Sequence, residues 1–402
     1  MREVVIAGYL RTAQSRCRPK DPERDWFHML RADDLLAAVI PELLKRTGIE
    51  SEDLDDFLVG CALGVTENWT YGGRTPVFLA NMSEKVPAKF VDMQCGSSMA
   101  ALHTGFLEIA GGYADCVLVS GMEQMTRVPM GPKLFKEGSI SMNPRLFSEE
   151  QYGHWDMDTT MVMGLTAEKL LDRTGFSRRE MDEWGVRSHN RAAQAHESGF
   201  LKGEILPVEA PQADGSIMTV DRDQAVRGGA KVEKMAELKS PFKEDGNITP
   251  GNASPLNAGA AAMVLCSLET AAARGLTPLA KVRSIGFAGV DPTVMGIAPV
   301  PAARRALKAA GMVPEDIDYW EVNEAFSVVV LNFIRELGLD PERVNVMGGG
   351  LSIGHAMGAT GVRITGTLAR ILNEKKARFG LAASCIGGGQ GVATIIESMD
   401  SE

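Results

Sequence analysis

The sequence contains no pair of cysteines at the C-x-x-C spacing that is typical of zinc sites and thiol–disulfide exchange. Its six cysteines are spread along the chain, at Cys17, Cys61, Cys95, Cys116, Cys266 and Cys385. This distribution favours neither a bound metal nor a disulfide framework. We therefore predict a protein that has no metal site and whose thiols stay reduced.

An excess of basic residues is missing as well, because 42 Lys and Arg stand against 52 Asp and Glu, for a net charge of -10. Nucleic-acid binding requires a basic surface that neutralises phosphates, so we expect no nucleic-acid partner. No uncharged stretch approaches the ~20 residues of a membrane-spanning helix, and the first residues lack the apolar region of ~7–15 residues found in signal peptides. We expect a cytoplasmic protein with no membrane partner.

What is present is the composition of a globular enzyme, with 45% hydrophobic and 23% charged residues among 402. Strand-like runs alternate with helical patterns, which indicates parallel βαβ units, and the alternation occurs twice. The first set is "EVVIAG", a helix over 33–47, "FLVGCAL", "FVDMQ", a helix over 96–110 and "CVLVSG". The second set is "AKVRSIGFAG", a helix over 301–310, "YWEVN", a helix over 324–337 and "RFGLAASCIGGGQGVATIIES".

This repetition predicts a duplicated α/β body whose strand ends meet at one crevice, where open α/β sheets bind ligands. The region 126–255 interrupts the alternation with loop-like segments and a long helical stretch over 178–198. Such an insertion is typical of a lid or a ligand platform. We predict a first half formed by 1–125 and 256–277, an inserted loop domain over 126–255, and a second half over 278–402.

Cys95 stands between an apolar strand and the helical segment "GSSMAALHTGFLEIA". That position predicts a sulfur at a helix N-terminus, where the helix dipole and free N–H groups favour the thiolate. A buried structural cysteine is the alternative. Cys385 opens "CIGGGQG", in which backbone N–H groups can approach a developing oxyanion, although a glycine-rich turn that closes a sheet would read the same way.

Two further polar positions lie near the ends of predicted strands. His355 in "SIGHAMGATG" has little side-chain bulk around it and can serve as a base or a hydrogen-bond donor, with a structural histidine as the alternative. In "EVNEAF", Asn323 is expected at a strand end and Glu324 in the first turn of a helix, where a carboxylate is an ordinary residue.

Together these segments resemble the thiolase family, and the resemblance runs the whole length of the chain. The motifs that carry it are "YLRTA", "QCGSSMAAL", "SGMEQM", "MGLTAE", "GNASPLNAGAAA", "DPTVMGIAPVPA", "NEAF", "GHAMGATG" and "CIGGGQG". It implies an α/β protein with the duplicated five-layered α/β/α/β/α fold and an inserted loop domain. It also implies an acyltransferase of fatty acid metabolism and β-oxidation. That enzyme would cleave a 3-ketoacyl-CoA reversibly with coenzyme A to acetyl-CoA and a shortened acyl-CoA, or catalyse the reverse Claisen condensation.

The resemblance also implies a role for each matching residue. Cys95 would be the nucleophile that takes the acyl group, His355 would activate its thiol, and Cys385 would be the second acid/base. Asn323, through a bound water, would join His355 in polarising the thioester oxygen of an enolate. The backbone N–H groups of Cys95 and Gly387 would form a second oxyanion hole, and Claisen chemistry needs both such sites.

Coenzyme A is expected as a substrate, and no tightly bound cofactor is expected. By the resemblance, Ser254 would contact its pantetheine arm and Arg227 would lie near its adenine and phosphates. Arg222, Lys231 and Lys234 extend Arg227 into a local cationic patch. A solvated basic surface is the alternative. Family members are dimers or tetramers, so a homodimer or homotetramer is implied.

The acyl pocket is where the resemblance leaves most open. Met163 and Met295 match positions that line it, and a flexible thioether suits an adaptable apolar wall, but plain core packing is the alternative. Thiolases usually carry a proline after the catalytic histidine, whereas this chain has Ala356, which predicts a looser or differently aimed loop. Val162 stands where short-chain members often have His, so the acyl group stays undetermined.

Two rival functions fit part of these observations. A ketoacyl-synthase-like condensing enzyme shares the cysteine nucleophile, but it commonly pairs that cysteine with histidines, and Cys385 argues against it. A non-catalytic thiolase-like subunit that binds CoA esters would have no reason to retain the full set of Cys95, Asn323, His355 and Cys385.

Overall fold

The computed structural model describes residues 1–129, 133–134 and 140–399. Residues 130–132 and 135–139 of the predicted insertion, and 400–402 of the predicted second half, lie outside the described residues. The strands are β1 (Val4–Thr12), β2 (Ser15–Arg16), β3 (Asp56–Gly60), β4 (Ala88–Val91), β5 (Cys116–Glu123), β6 (Ile205–Leu206), β7 (Val208–Pro211), β8 (Ile217–Val220), β9 (Asn257–Ser267), β10 (Ala280–Gly289), β11 (Tyr319–Val322), β12 (Phe379–Ile386) and β13 (Gln390–Ser398).

Helices connect and cover these strands. They are α1 (Ala32–Thr47), α2 (Arg74–Leu79), α3 (Ser97–Ala110), α4 (Arg145–Ser148), α5 (Met157–Thr160), α6 (Met163–Thr174), α7 (Arg178–Glu197), α8 (Val232–Ala236), α9 (Leu268–Ala273), α10 (Pro299–Ala310), α11 (Ser327–Leu337) and α12 (Thr360–Lys375). In the described part of the chain, no helix is both long and apolar enough to cross a bilayer.

The main sheet has the strand order β11-β12-β13-β10-β1-β9-β5-β3-β4, with β2 and β6 attached at β9 and β1. Parallel pairs occur near both ends, at β3 with β4 and β5 and at β11 with β12. The two halves of the sheet meet where β1 pairs antiparallel with β10, with Val4 opposite Val282. The alternation that occurs twice in the sequence therefore appears as two halves of one hydrogen-bonded sheet.

Helices lie between the two halves and on both outer faces. In the middle, α3 packs against α12, and one apolar cluster contains residues of both helices, such as Leu102 and Leu368, and of strands from both halves, such as Val119 and Ile396. The helix α1 covers the outer face of the first half, while α10 packs on β10 and β13 in the second. These layers confirm the predicted five-layered α/β/α/β/α fold.

The predicted helix over 324–337 begins too early, because α11 starts only at Ser327. The preceding residues are extended and pair with a distant segment instead. The Ser254 N–H donates to the Ala325 carbonyl (2.9 Å), and the Ser327 N–H donates to the Asn252 carbonyl (2.8 Å). The expectation that Glu324 lies in the first turn of a helix is therefore wrong. By contrast, α1 and α7 lie within one or two residues of their predicted bounds.

Candidate active site

Cys95 lies in a short turn of 3-10 helix, Gln94–Gly96, that joins the approach from β4 to the start of α3. Gln94 has a positive φ of 47°, and the Ser97 hydroxyl donates to the Gln94 carbonyl (2.6 Å), which fixes the turn. A Cβ on Gly96 would stand 2.4 Å from the terminal methyl of Ile386, so a larger residue here would displace that side chain of β12. The structure thus places Cys95 at a helix start, as predicted, and against the end of β12.

Cys385 lies next to the last residue of β12 and is only 1% exposed. The turn that follows has positive φ at Gly388 and Gly389, 83° and 79°, which suits glycine. The backbone N–H of Gly387 lies close enough to the Cys95 sulfur to lower its pKa, and both residues line the same cavity. The glycine-rich turn therefore brings an N–H donor to the predicted nucleophile, as a site that stabilises an oxyanion requires.

Both thiols are protonated at neutral pH. Burial raises the pKa of Cys95 to about 11, and the N–H of Gly387 acts in the opposite direction. The pKa of Cys385 is raised by burial and further by a charge on Cys95, so ionisation of one thiol disfavours ionisation of the other. The cost of removing the thiolate from water exceeds its stabilisation by the N-terminus of the helix. The expectation that the position of Cys95 favours its thiolate is therefore wrong. A nearby base is needed to form that thiolate.

His355 is a neutral base of defined orientation. Burial, together with the positive charge of Arg363, lowers the pKa of His355 to about 3. Its Nδ1 lies 2.7 Å from the Thr360 hydroxyl oxygen, and that hydroxyl donates its only hydrogen to the Ala356 carbonyl (2.9 Å). Nδ1 must therefore carry the ring proton, and this hydrogen-bond network assigns the lone pair to Nε2.

The loop that carries His355 is held by two side chains from the first half of the chain. The His355 N–H donates to Asn257 Oδ1 (2.8 Å), and the Ala356 N–H donates to Gln14 Oε1 (3.0 Å). The φ of Ala356 is -66°, close to the angle of about -65° that a proline would impose. The backbone at Ala356 thus has the angle that a proline would fix, and a hydrogen bond to Gln14 holds it there. The expected change in the direction of the loop is therefore not found.

Asn323 follows β11 and faces His355. Its Nδ2 lies 3.4 Å from His355 Nε2, and its backbone N–H donates to the Ala383 carbonyl (2.9 Å). The side chain is fully buried, yet Oδ1 has no hydrogen-bond partner among the described residues. A buried polar atom without a partner is usually satisfied by a water or a ligand, so Oδ1 can hold one beside the imidazole.

Glu324 and Glu123 are buried carboxylates that accept hydrogen bonds from several segments around the site, and the sequence indicated neither network. Glu324 is fully buried, and its carboxylate accepts from Trp184 Nε1 (2.9 Å), Ser188 Oγ (2.6 Å) and Asn345 Nδ2 (2.8 Å). The Glu123 carboxylate accepts from three backbone N–H groups, of Ala62 (2.9 Å), Leu63 (3.2 Å) and Gly358 (2.9 Å). Burial raises the pKa of Glu123. In the sequence, Glu123 is marked only by its position as an acid at the end of an apolar strand.

Cys95 opens into a cavity of about 1100 Å³ that also contacts Gly387 and Met163. Met295 is 3% exposed and packs in the apolar cluster that contains Cys385. It is not among the described residues that line the cavity. Val162 is 39% exposed and precedes α6, next to the cavity residue Met163.

A second cavity, of about 420 Å³, is basic. Its cationic lining residues are Arg16, Arg18, Arg227, Lys231 and Lys234. Burial and the charges of Arg18 and Arg227 lower the pKa of Arg16 to about 10, as expected where cations crowd together without an anion.

The predicted cationic patch is only partly correct. Arg222 lies instead over the Trp26 ring, 5.9 Å from its centre, and Ser254 is adjacent to Pro255 on the groove wall. Arg16 and Arg18 were not predicted as groove residues, although "SRCRPK" is a basic run that could have suggested them.

Two family models account for almost the whole chain. "Thiolase, N-terminal domain" matches residues 4–269, and "Thiolase, C-terminal domain" matches residues 276–398. The chain belongs to the thiolase family. It is therefore an acyltransferase, and the predicted family, fold class and thiolase activity are confirmed.

Individual relatives cover the whole length of this thiolase. A "3-ketoacyl-CoA thiolase" of Marinobacter nauticus is 38% identical, with 98% of each chain covered. An "Acetyl-CoA acetyltransferase" of Pseudomonas aeruginosa is 40% identical, again with 98% of each chain covered. A solved structure, the acetyl-CoA acetyltransferase of Bacillus anthracis, superposes with a TM-score of 0.87 at 34% identity and covers 99% of both chains. The relatives thus bear both names, and the names do not decide the acyl group.

Proposed function

We propose that this thiolase transfers acyl groups between CoA thioesters through an acyl-enzyme on Cys95. In the degradative direction it cleaves a 3-ketoacyl-CoA with coenzyme A to acetyl-CoA and a shortened acyl-CoA, as in β-oxidation. The observation that carries the proposal is the neutral, buried imidazole of His355, which has its lone pair on Nε2 and is followed by a turn, Met357–Ala359, that packs against the turn of Cys95. A base, a nucleophile and a second acid are the groups that the reaction needs.

In the first half-reaction, His355 Nε2 takes the proton of Cys95, and the sulfur attacks the C3 carbonyl carbon of the substrate. The N–H groups of Gly387 and Cys95 stabilise the resulting oxyanion. The bond between C2 and C3 then breaks and leaves the acyl group on Cys95. The electron pair forms the enolate of acetyl-CoA, which His355 and a water on Asn323 stabilise, and Cys385 gives it a proton.

In the second half-reaction, Cys385 takes the proton of an incoming coenzyme A thiol. The CoA sulfur attacks the acyl carbon, and the Cys95 thiolate leaves and recovers its proton from His355. Every step is reversible, so the same groups perform the Claisen condensation. The raised pKa of Cys385 keeps its thiol protonated until the enolate forms and makes its thiolate a strong base for the coenzyme A thiol.

We further propose that the basic groove holds the phosphates and adenine of coenzyme A, with Arg227 on its wall and Ser254 beside the pantetheine arm. Arg16 and Arg18 strengthen this proposal, since they raise the number of arginines that face the groove from one to three. Coenzyme A acts as a substrate here, and no tightly bound cofactor is part of the proposed reaction.

The proposal also covers the location of the enzyme, its oligomeric state and its domain organisation. The enzyme works in the cytoplasm as a homodimer or homotetramer, for which the unpaired edge strand β4 and the exposed side chains Trp69, Tyr71 and Phe78 provide an apolar face. The insertion 126–255 is a separate loop domain. Residues 256–277 belong with 1–125, as the position of β9 between β1 and β5 supports.

Two experiments test the proposed reaction. Purified protein is offered a panel of 3-ketoacyl-CoAs with free coenzyme A, and loss of the ketoacyl thioester is followed. Cleavage of none of them would exclude thiolysis. In addition, the wild type and Cys95→Ser are incubated with labelled acetyl-CoA and analysed by mass spectrometry. Label should appear on the wild-type peptide alone, and label that persists in the variant would remove Cys95 from its role.

A further inference from the structure

The cavity above Cys95 has an apolar wall that extends far beyond the reacting atoms. Its side chains come from the first half, at Leu63 and Phe90, and from the helices and loops of the insertion, at Leu146, Trp155 and Met157. At about 1100 Å³ it exceeds the ~300–1,000 Å³ that is usual for small-molecule pockets. A two- or four-carbon acyl group on Cys95 would leave most of this apolar surface in contact with water.

The cavity is separate from the groove that is suited to the nucleotide end of coenzyme A. The two share no lining residue among those described, and the basic side chains line only the smaller one. In the described part of the chain, no Lys, Arg or His lines the cavity above Cys95. Once the phosphates of coenzyme A occupy the basic groove, the larger cavity is available for the acyl chain.

The described charged side chains on the wall of this cavity are acidic. Asp92 and Asp291 stand at its exposed edge, and their hydrogen-bond partners are local, since Asp92 Oδ1 accepts from the Gln94 N–H (3.0 Å) and Asp291 Oδ1 accepts from the Thr293 N–H (2.9 Å). No described cation in the cavity balances the two acids. An acyl chain that ends in a carboxylate would therefore meet like charge and no cation among the described lining residues, which disfavours its binding.

The wall is also adaptable. Four of its side chains are methionines of the insertion, at Met142, Met157, Met161 and Met163. Unbranched thioethers change rotamer easily and fit chains of different shape. A wall of this kind suits a series of homologous hydrocarbon chains better than one short acyl group of fixed shape.

From these features we infer that the preferred substrate is a 3-ketoacyl-CoA with a long, uncharged hydrocarbon chain, which lies in the cavity between Phe90 and the methionines of the insertion. This inference rests on the proposed function, because it assumes that Cys95 carries the acyl group. Each methylene that moves from water to such a wall favours binding about fourfold. The preference for long chains should therefore appear mainly as a higher kcat/KM.

The test compares kcat/KM for 3-ketoacyl-CoAs of four, eight and twelve carbons, together with a six-carbon pair that differs only in a terminal carboxylate. We expect the twelve-carbon substrate to exceed the four-carbon one by at least about tenfold. The uncharged six-carbon substrate should exceed its carboxylate counterpart. Equal or better cleavage of the four-carbon or the carboxylate substrate would overturn the inference and leave the thiolase reaction intact. Cleavage of none would instead contradict the proposed function.

Variants that fill the cavity locate the chain. Met157→Trp and Leu146→Trp both add bulk to the wall, and two variants are used so that the test does not depend on the folding of one. Each should lower kcat/KM for the twelve-carbon substrate by about tenfold or more and spare the four-carbon substrate. Val313→Trp is the matched control, because Val313 is 54% exposed and lies outside the cavity. Equal losses for both substrates in the cavity variants, or the same loss in the control, would overturn the assignment of the cavity.

Discussion

The hydroxyl oxygen of Thr360 lies 2.7 Å from Nδ1 of His355. Because that hydroxyl gives its hydrogen to the Ala356 carbonyl, it can only accept from the imidazole. One side chain thereby sets both the tautomer and the direction of the base. Thr360 touches no reacting atom in the proposed reaction, so it is a positioning residue.

Thr360→Val keeps the shape of the side chain and removes the acceptor. We expect kcat to fall about tenfold to a hundredfold with little change in KM, because the proton can then move to Nε2 and block the base. Thr360→Ser, which restores the acceptor, should recover most of kcat. Steady-state kinetics of the three proteins test this. A parallel loss in KM, or no recovery with Ser, would indicate a packing role instead.

The hydrogen bond between Gln14 and Ala356 predicts a coupled pair of variants. Gln14→Leu leaves a buried N–H without a partner and should lower the free energy of unfolding by about 1–3 kcal/mol. Adding Ala356→Pro removes that N–H at a backbone angle proline accepts, so the double variant should recover part of the loss. Thermal unfolding of both single variants and the double variant measures the coupling. Simple additivity would contradict this account.

Arg16 and Arg222 make a matched pair for the basic groove. Arg16 lines the groove, whereas Arg222 lies over Trp26 outside it. Arg16→Ala should raise KM for coenzyme A about fivefold or more, with an effect that shrinks at high salt, and Arg222→Ala should not. KM measured at two ionic strengths decides. If both variants shift KM alike, the effect comes from net charge rather than from the groove.

The pKa of Cys95 predicts how its reactivity depends on pH. Since burial raises this pKa to about 11, the thiol is protonated below that pH, and the thiolate fraction rises about tenfold per pH unit towards it. Alkylation of Cys95 by iodoacetamide, followed by peptide mass spectrometry, should therefore accelerate steadily from pH 7 to 10. A plateau near or below the usual value of about 8.5 would show that the site favours the thiolate after all.

Glu324 accepts from four buried donors, and its loss should be costly. Glu324→Ala removes the acceptor of Trp184 Nε1 and of the Leu351 N–H and one partner each of Ser188 and Asn345, for an expected loss of at least about 3 kcal/mol in the free energy of unfolding. Glu324→Gln keeps one acceptor oxygen and should lose less. Urea unfolding measures both. Equal stability of the Ala variant and the wild type would show that water replaces the carboxylate.

Local pattern was sufficient to predict the long helices, because apolar periodicity marks α1 and α7 almost to their ends. It failed where a distant segment competes for the backbone. At Glu324 the local pattern favours a helix start, but pairing with residues near Ser254 keeps the chain extended. Such a pairing joins positions some 70 residues apart and leaves no trace in the local sequence.

Dependence on contacts with distant segments also explains which site residues were predicted and which were missed. Cys95, His355 and Cys385 each lie in a local motif, and these motifs together carry the resemblance to the family. Arg16 reaches the basic groove only because β2 pairs with β9, and the importance of Gln14 appears only once the His355 loop packs on it. Both depend on tertiary contacts. Desolvation of Cys95 is likewise a property of the packed site, so the sequence suggested the opposite pKa shift.

The pairing of β1 with β10 has a mechanical consequence. Because Val4–Ile6 pair with Ala280–Val282 across the sheet, we expect the halves that carry Cys95 and His355 to stay together while acyl chains enter and leave. We therefore expect entry and exit to depend on the walls contributed by the insertion. A chain cut between 270 and 279 would yield two fragments whose strands β1 and β10 have unpaired edges that can pair again. Activity should return only when the fragments associate, so the two fragments form a split reporter.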